Sequence, residues 1–388
     1  MIKLAIDANE ANVSNRVGSN VYAFHLLCEL ARLITAKQEI KATVLLASPP
    51  LASLPKESRF WHYQVISPAK FFTQFALPIY LFKNKEKFDL FFTPGHYAPR
   101  FCPVPYISSV MDLAFLRFPE QFKTSDLLQL KHWTKYSVDN AKKVVTISEF
   151  SRQEVVNLYH KRKSDVLVAY PDVSLPKNSA SKKELEKFFQ KHALAKPYFL
   201  FVGTLQPRKN LITLIKAYES FCLENKGFKN KYLPQLVIAG KIGWLAEPIL
   251  TAINQSKVKD KIVLTGFISD EIKLSLYQQA LATLLVGLYE GFGIPALESM
   301  QAKALPIVSN QSSLAEVVGK AGLLVNPYQV EAIATALTQA WKMSASEREK
   351  YQREMTQQIK KFSWAETGKK VYQLLVETAQ EVRDEKQT

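Results

Sequence analysis

The sequence predicts an α/β protein made of two Rossmann-like domains, and three observations predict it. At 388 residues the chain is longer than one ordinary hydrophobic core supports. Short apolar runs alternate with longer amphipathic segments almost from end to end, as parallel strands covered by helices require. A stretch rich in Pro, Ser and Lys, PDVSLPKNSASKK at 171–183, has little to bury and breaks that alternation once. The expected domains are therefore 1–173 and 174–388, with a closing helix at about 364–380 packing back on the first.

In the first domain KLAID (3–7), ATVLLA (42–47), FDLFF (88–92), PYISSV (105–110), VVTI (144–147) and DVLVA (165–169) are short apolar runs with the composition of buried strands. Helical periodicity separates most of them at 21–34, 126–140 and 149–159. KFFTQFALPIYLFKNKEK (70–87) mixes aromatic and basic residues, and two readings stay open for it: a helix packed in the first domain, or a surface that skims a bilayer.

Past the interruption the alternation restarts with YFLFV (198–202), QLVIA (235–239), KIVL (261–264), ATLLV (282–286), PIV (306–308) and GLLV (322–325). Helices are expected at 211–221, 270–279, 296–301, 330–341, 347–359 and 364–377. Two such domains in tandem bind ligands beyond the carboxyl ends of their strands.

Charge and cysteine narrow the function classes. The formal charge of +16 favours an anionic partner, with nucleic acid, anionic lipid and phosphorylated small molecules as candidates. Residues 1–180 carry 23 basic and 15 acidic side chains, a net +8, and the remainder also carries +8. An excess spread this evenly, with no recognisable nucleic-acid module, speaks against nucleic acid. Cys28, Cys102 and Cys222 are distant from one another and fit reduced thiols. No apolar run approaches the roughly 20 residues that span a bilayer, and the start MIKLAIDANE does not resemble a secretory signal, so a cytoplasmic protein is expected.

Three strand-to-helix junctions and one strand end carry the candidate chemistry. In LYEGFGIPALE (288–298), Gly291 to Ile294 form a turn before a helix with Pro295 at its first position, suited to a phosphate or another anion. Glu290 and Glu298 bracket the turn and can accept hydrogen bonds from sugar hydroxyls; the alternative is a tight turn with Glu298 complementing the dipole in the first helical turn. GFGIPA also fits a dinucleotide fingerprint, but Ser309 and Asn310 follow the next strand where a ribose-binding acid belongs.

VGTLQPRKN (202–210) offers a second such turn. Gly203 permits it, Asn210 is a candidate cap, and Arg208 and Lys209 are either a clamp for a diphosphate or solvated loop cations. In NRVGSNVYAF (15–24), Gly18 either allows close backbone approach before the helix or is a plain loop glycine. In VMDLAF (110–115), Asp112 stands at a strand end, from which it reaches a ligand or caps a turn. His25 and His132 fall in helical segments, while His96 on a loop stays open. No DxD pair, His/Cys cluster or GxSxG elbow occurs.

IDANEANVSNRVGSNVYAF, MDLAFLRFPEQF, VTISEFSR, VGTLQPRKN, AGKIGW, TGFISDE, YEGFGIPALESM and SNQSSLAEVVGKAGLLVNP occur in that order across most of the chain. Together they resemble the family 4 retaining glycosyltransferases of the GT-B fold, in a branch similar to bacterial mannosyltransferases. The resemblance implies two Rossmann-like domains facing across a cleft, the first on the acceptor side and the second holding a nucleotide sugar. It implies transfer of a hexose from a nucleotide-diphosphate sugar to a glycan or lipid-linked acceptor, with retention, in polysaccharide biosynthesis. No metal and no cofactor beyond the donor co-substrate are expected, no nucleic acid, and a peripheral contact with the inner face of the cell membrane is allowed for.

Carried over residue by residue, Glu298 meets the nucleotide ribose, Glu290 the transferred sugar, and the backbone of Gly291, Phe292, Gly293 and Ile294 the sugar and its phosphate. Arg208 and Lys209 neutralise the leaving diphosphate, Gly18 lets the first domain close on it, and Gly203 and Phe267 of TGFISDE complete the donor set. Asp112 joins Glu290, Arg208 and Lys209 as the catalytic candidates. The chain departs from its relatives in Met111-Asp112 where His-Asp is usual, in Thr204 for Arg, and in Gly287 and Ala304 for Ser and Gly. An impaired sugar-nucleotide binder and a basic membrane-surface or nucleic-acid binder are the alternative expectations.

Overall fold

The computed structural model describes residues 1–95, 97–225, 227 and 233–387; His96 lies outside the described residues. The chain forms two compact units, Met1–Pro171 with Phe362–Thr388, and Asp172–Lys361. The closing helix, which by sequence position follows the second unit, belongs to the first.

The first unit contains β1 Ile2–Asp7, α1 Ser19–Lys37, β2 Ile40–Leu46, β3 Trp61–Val65, α2 Leu77–Lys83, β4 Leu90–Thr93, β5 Tyr106–Val110 and α3 Ala114–Arg117. It continues with α4 Thr124–Asp139, β6 Lys143–Thr146, α5 Glu149–Tyr159 and β7 Val166–Val168. The strands form one parallel sheet in the order β3-β2-β1-β4-β5-β6-β7. Alternate strand residues feed opposite faces. Leu4 and Ile6 pack with α1 through Tyr22, Leu26 and Leu30, and Ala5 packs on the other face with Leu77 and Leu81 of α2 and Val155 of α5.

The second unit contains α6 Lys182–Lys191, β8 Tyr198–Val202, α7 Leu211–Glu224, β9 Gln235–Ala239, α8 Glu247–Gln255, β10 Ile262–Gly266 and α9 Asp270–Gln279. It closes with β11 Ala282–Leu285, α10 Ile294–Gln301, β12 Pro306–Ser309, α11 Leu314–Val318, β13 Leu323–Val325, α12 Val330–Lys342 and α13 Ala345–Gln358. Its sheet is parallel in the order β10-β9-β8-β11-β12-β13. α14, Trp364–Glu385, then returns to the first unit. There Trp364 stacks on His25 of α1 at 4.8 Å between centroids. Arg383 donates through Nη2 to the Met1 carbonyl at 2.6 Å and to Asp89 Oδ2 at 2.7 Å.

The structure adds elements that the apolar pattern does not announce. β3 is an edge strand in which Trp61 is fully buried but Tyr63 and Gln64 are not, so its apolar run is too short to stand out. α6 begins inside the stretch expected to be a linker, where Ser181 and Glu184 form a capping box. The segment 70–87 does pack in the first unit, through Phe72, Leu77 and Leu81, yet its outward face is apolar as well.

In each sheet the strand order reverses once, between β1 and β4 in the first unit and between β8 and β11 in the second. Loops leaving neighbouring strands on opposite sides of such a point diverge, opening a crevice at the carboxyl ends. In the second unit Gly203, Arg208, Lys209 and Glu290 to Ile294 follow the two strands at this point, whereas Asp112 follows β5 and Phe267 follows β10.

Candidate active site

The second unit's reversal point is built from the loops after β8 and β11. After β8 the chain passes Gly203 and a short turn at Pro207–Lys209 before α7. Asn210 sits at the start of α7 in a left-handed conformation, but its side chain does not cap the helix as expected. Its Nδ2 instead donates to the carbonyls of Val286 at 3.0 Å and Pro327 at 2.7 Å, tying the loops after β8, β11 and β13 together. The Leu288 amide donates to the Arg208 carbonyl at 2.9 Å, so the two candidate loops are fixed by a backbone bond as well.

This lacing brings Arg208, Lys209 and Glu290 together. Glu290 is 7 % exposed; its Oε1 accepts from Lys209 Nζ, and Arg208 Nη1 stands 3.9 Å from Oε2. Burial pushes the Glu290 carboxyl up, but Lys209 and Arg208 outweigh that effect and hold it below the ordinary carboxylate value. A Cβ on Gly287 would lie 3.1 Å from the Arg208 carbonyl and 3.4 Å from Glu290 Oε1. Glycine at this position therefore lets the Arg208 carbonyl approach closely, as the bond from the Leu288 amide requires.

α10 begins at Ile294, so Pro295 is its second residue and not its first. Gly293 opens it at φ 99°, where an added Cβ would meet Leu314 Cδ2 at 2.4 Å, so both backbone and packing demand glycine here. No side chain caps α10; Pro295 has no N–H and the Ala296 amide donates to the Gly293 carbonyl at 2.9 Å, so within the first three residues the Ile294 amide carries the positive end of the helix. Gly291 and Phe292 are buried and Ile294 is half-buried.

Glu298 lies in the second turn of α10, which has no acidic residue in its first, so the simple dipole role does not apply. It is 9 % exposed, and two residues of α9 hold it: Lys273 Nζ donates to Oε1 at 2.8 Å and the Tyr277 hydroxyl to Oε2 at 2.9 Å. Burial pulls the Lys273 ammonium down, but Glu298 and Asp270 more than offset it and leave the group above its ordinary value. Burial and the adjacent carboxylate push Tyr277 well up, keeping it a neutral donor. Helical periodicity makes 270–279 legible as a helix, but nothing in it marks Lys273 and Tyr277 as the partners of Glu298. Phe267, after β10, is largely exposed, with Lys241 Nζ 4.9 Å above its ring.

Gly18 and Asp112 belong to the first unit and are not among the residues the second unit gathers. Gly18 precedes α1 at φ 53°, ψ −117°, a glycine conformation with open space around it. Asp112 Oδ1 accepts from the Ala114 amide at 3.0 Å, the turn role foreseen as its alternative. Met111 packs against the core below it.

The first unit's reversal point holds a pocket of about 200 Å³ lined by Asp7, Glu10, Thr93, Tyr97, Gln129 and Trp133. Asp7 ends β1 and accepts from Asn9 Nδ2 at 2.7 Å; burial, the larger effect, pushes its pKa up to about 6. An acid at the carboxyl end of a strand was the signal that singled out Asp112, and the same signal in AIDAN marks Asp7. Among the described residues no group of three or more His, Cys, Asp or Glu is placed to hold a metal ion. No helix among them is long and apolar enough to cross a membrane.

Residues 182–362, which include the whole reversal-point cluster, match the family described as glycosyl transferases group 1. The chain is 30 % identical over 264 residues to the O-antigen chain mannosyltransferase B of Escherichia coli, covering 66 % of each. It is 27 % identical over 238 residues to the serotype-specific mannosyltransferase WbdA of Escherichia coli, covering 57 % of this chain and 28 % of that longer protein. Sucrose-phosphate synthase from Thermosynechococcus elongatus superposes with a TM-score of 0.71 at 16 % identity, over 97 % of this chain and 99 % of the other, a likeness of fold. With two parallel-sheet α/β units of the GT-B type, the chain carries in its second unit, over residues 182–362, a domain of the glycosyl transferases group 1 family.

Proposed function

We propose that the protein is a hexosyltransferase that moves a sugar, mannose being the first to try, from a nucleotide diphosphate to a glycan or lipid-linked acceptor with retention. The observation that carries this reading is the convergence of Arg208, Lys209 and Glu290 beside the uncapped start of α10. Two cations and a helix N-terminus make a seat for a diphosphate. The similarity to mannosyltransferases supports the choice of sugar.

In this reading the bond from the anomeric carbon to the diphosphate breaks while a bond from the acceptor oxygen forms on the same face. The acceptor proton passes to a diphosphate oxygen. Arg208, Lys209 and the positive end of α10 at Ile294 take up the charge that grows on the leaving group, so the step calls on no metal. Glu290 accepts from a hydroxyl of the transferred sugar. Glu298 has one donor on each oxygen from Lys273 and Tyr277, and an ionised carboxylate has room for about four, so it still accepts from the ribose. A cytoplasmic site of action follows from the donor class.

A melting screen with free nucleoside diphosphates, with and without a chelator, tests the seat. Ligand at about 100 times its dissociation constant adds about 2.7 kcal/mol. Lys209→Ala is expected to weaken the diphosphate and Glu298→Ala the nucleoside. Unchanged affinity in both variants refutes the site. Mass spectrometry of acceptor glycans with matched donors tests transfer, and binding without transfer points to an impaired enzyme.

A further inference from the structure

The outward face of α2 and the turn before it runs against the usual direction of burial. Phe75 is 61 % exposed, Phe82 66 % and Phe101 83 %, with Phe71 and Ile79 also exposed. Phe75, Ile79, Phe82 and Phe101 border an apolar groove of about 510 Å³ that reaches Trp133 on α4, and the Phe71 ring stands edge-on to Phe75 at 6.2 Å. Phe71 and Phe101 both hold φ near 57°, a left-handed conformation rare for bulky residues, and a π-helical turn spans Phe72–Ala76. Irregular backbone is retained here in a place that turns aromatic rings outward.

The patch is ringed by cations. Lys70 Nζ stands 5.3 Å over the Phe71 ring, Lys85 Nζ 5.8 Å over Phe82, and Arg100 5.7 Å over Trp133, while Lys83 lines the groove. The sole acid between residues 70 and 87 is Glu86, 4.0 Å from Lys85. Apolar rings beneath a cationic rim match the layering of a lipid surface, with acyl chains below anionic head groups.

We infer that this face seats on an anionic lipid bilayer. A second copy fits worse, because a two-fold contact through this patch sets like charges of one rim against the other. The inference stands whether or not the transfer reading holds. Its consequence for that reading is positional: the polar pocket at the ends of β1 and β4 shares Gln74 and Trp133 with the groove, so a seated protein holds that pocket near head-group level.

Sedimentation of the full chain with phosphatidylcholine vesicles, with and without phosphatidylglycerol, tests this. Binding is expected to need phosphatidylglycerol and to weaken with salt. Lys83→Gln and Lys85→Gln should each lower the partition coefficient about fivefold, and Phe75→Ser with Phe82→Ser should lower it by about tenfold or more with an unchanged melting temperature. Phe82→Trp should show blue-shifted emission with vesicles and quenching by brominated acyl chains. The inference is overturned if the double serine variant sediments like the parent, or if the indole emission of Phe82→Trp does not move at saturating lipid. It is equally overturned if the protein dimerises without lipid and the serine pair abolishes the dimer.

Discussion

Replacing Lys209 by alanine takes the nearer of two cations from a carboxylate that is 7 % exposed. Stripping one partner from a buried ion pair costs about 3–5 kcal/mol. Here Arg208 remains 3.9 Å from the other oxygen, and a charge at that distance is worth up to about 4 kcal/mol at an effective dielectric of about 20 before screening. Since Arg208 is partly exposed, it recovers only a fraction, and we expect Lys209→Ala to cost about 2–4 kcal/mol. For a unit of this size that is a fall in melting temperature of about 4 to 16 °C.

The pH dependence gives the sharper test. In the parent the folded-state pKa of Glu290 is lowered, so its stabilisation is complete above the unfolded value of 4.5 and is lost as pH falls through the folded value. In Lys209→Ala burial is no longer outweighed, the folded value rises above 4.5, and stability instead declines as pH increases past it. Glu290→Gln removes the orphaned charge, so the double variant should recover about 1–3 kcal/mol relative to the sum of the singles. Calorimetry of the parent and three variants at acid and neutral pH reads all of this. Additive single effects, or a Lys209→Ala profile parallel to the parent, would refute the claim that this ion pair holds the site together.

Three further outcomes follow from the geometry. Tyr277→Phe removes one of the two donors that hold Glu298 and should cost about 1–3 kcal/mol by urea unfolding, while Glu298→Gln should couple to it. Gly293→Ala should lower the melting temperature even when combined with Leu314→Ala, because the smaller residue relieves the 2.4 Å contact but not the φ of 99°. Asp7, with its pKa raised to about 6, binds its proton more tightly in the folded state, so its contribution is full below 3.8 and is lost as pH rises through 6. Asp7→Asn should flatten that slope, by about 1–2 kcal/mol after allowing for partial exposure, as read from melts across the range.

Most parallel strands were legible as continuous apolar runs, and α1, α7 and α12 as helices that bury an apolar stripe. β3 was not, since an edge strand that buries Trp61 but leaves Gln64 wet carries too little of either period. α6 was hidden because it has no fully buried residue and depends on its Ser181 and Glu184 cap. At the site, Arg208, Lys209 and Glu290 could be picked out from loop chemistry, but their contact comes from strand order, which places β8 beside β11. Lys273 and Tyr277 escaped notice because they lie 25 and 21 residues from Glu298 and gain meaning only when α9 packs beside α10. The Asn210 side chain was assigned to the nearest helix, whereas two carbonyls from distant loops compete for it and win.

The return of α14 to the first unit reverses the usual order of maturation on the ribosome. Trp364 and Arg383, which close onto His25, Asp89 and the Met1 carbonyl, are made only after the whole second unit has been translated. At about 5–20 residues per second that interval is on the order of 10 to 40 s. During it the α1 surface that α14 will cover stays wet, while the second unit, contiguous in sequence, has everything it needs to fold. The nascent first unit is thus the part most dependent on protection from aggregation, although it is the first to emerge.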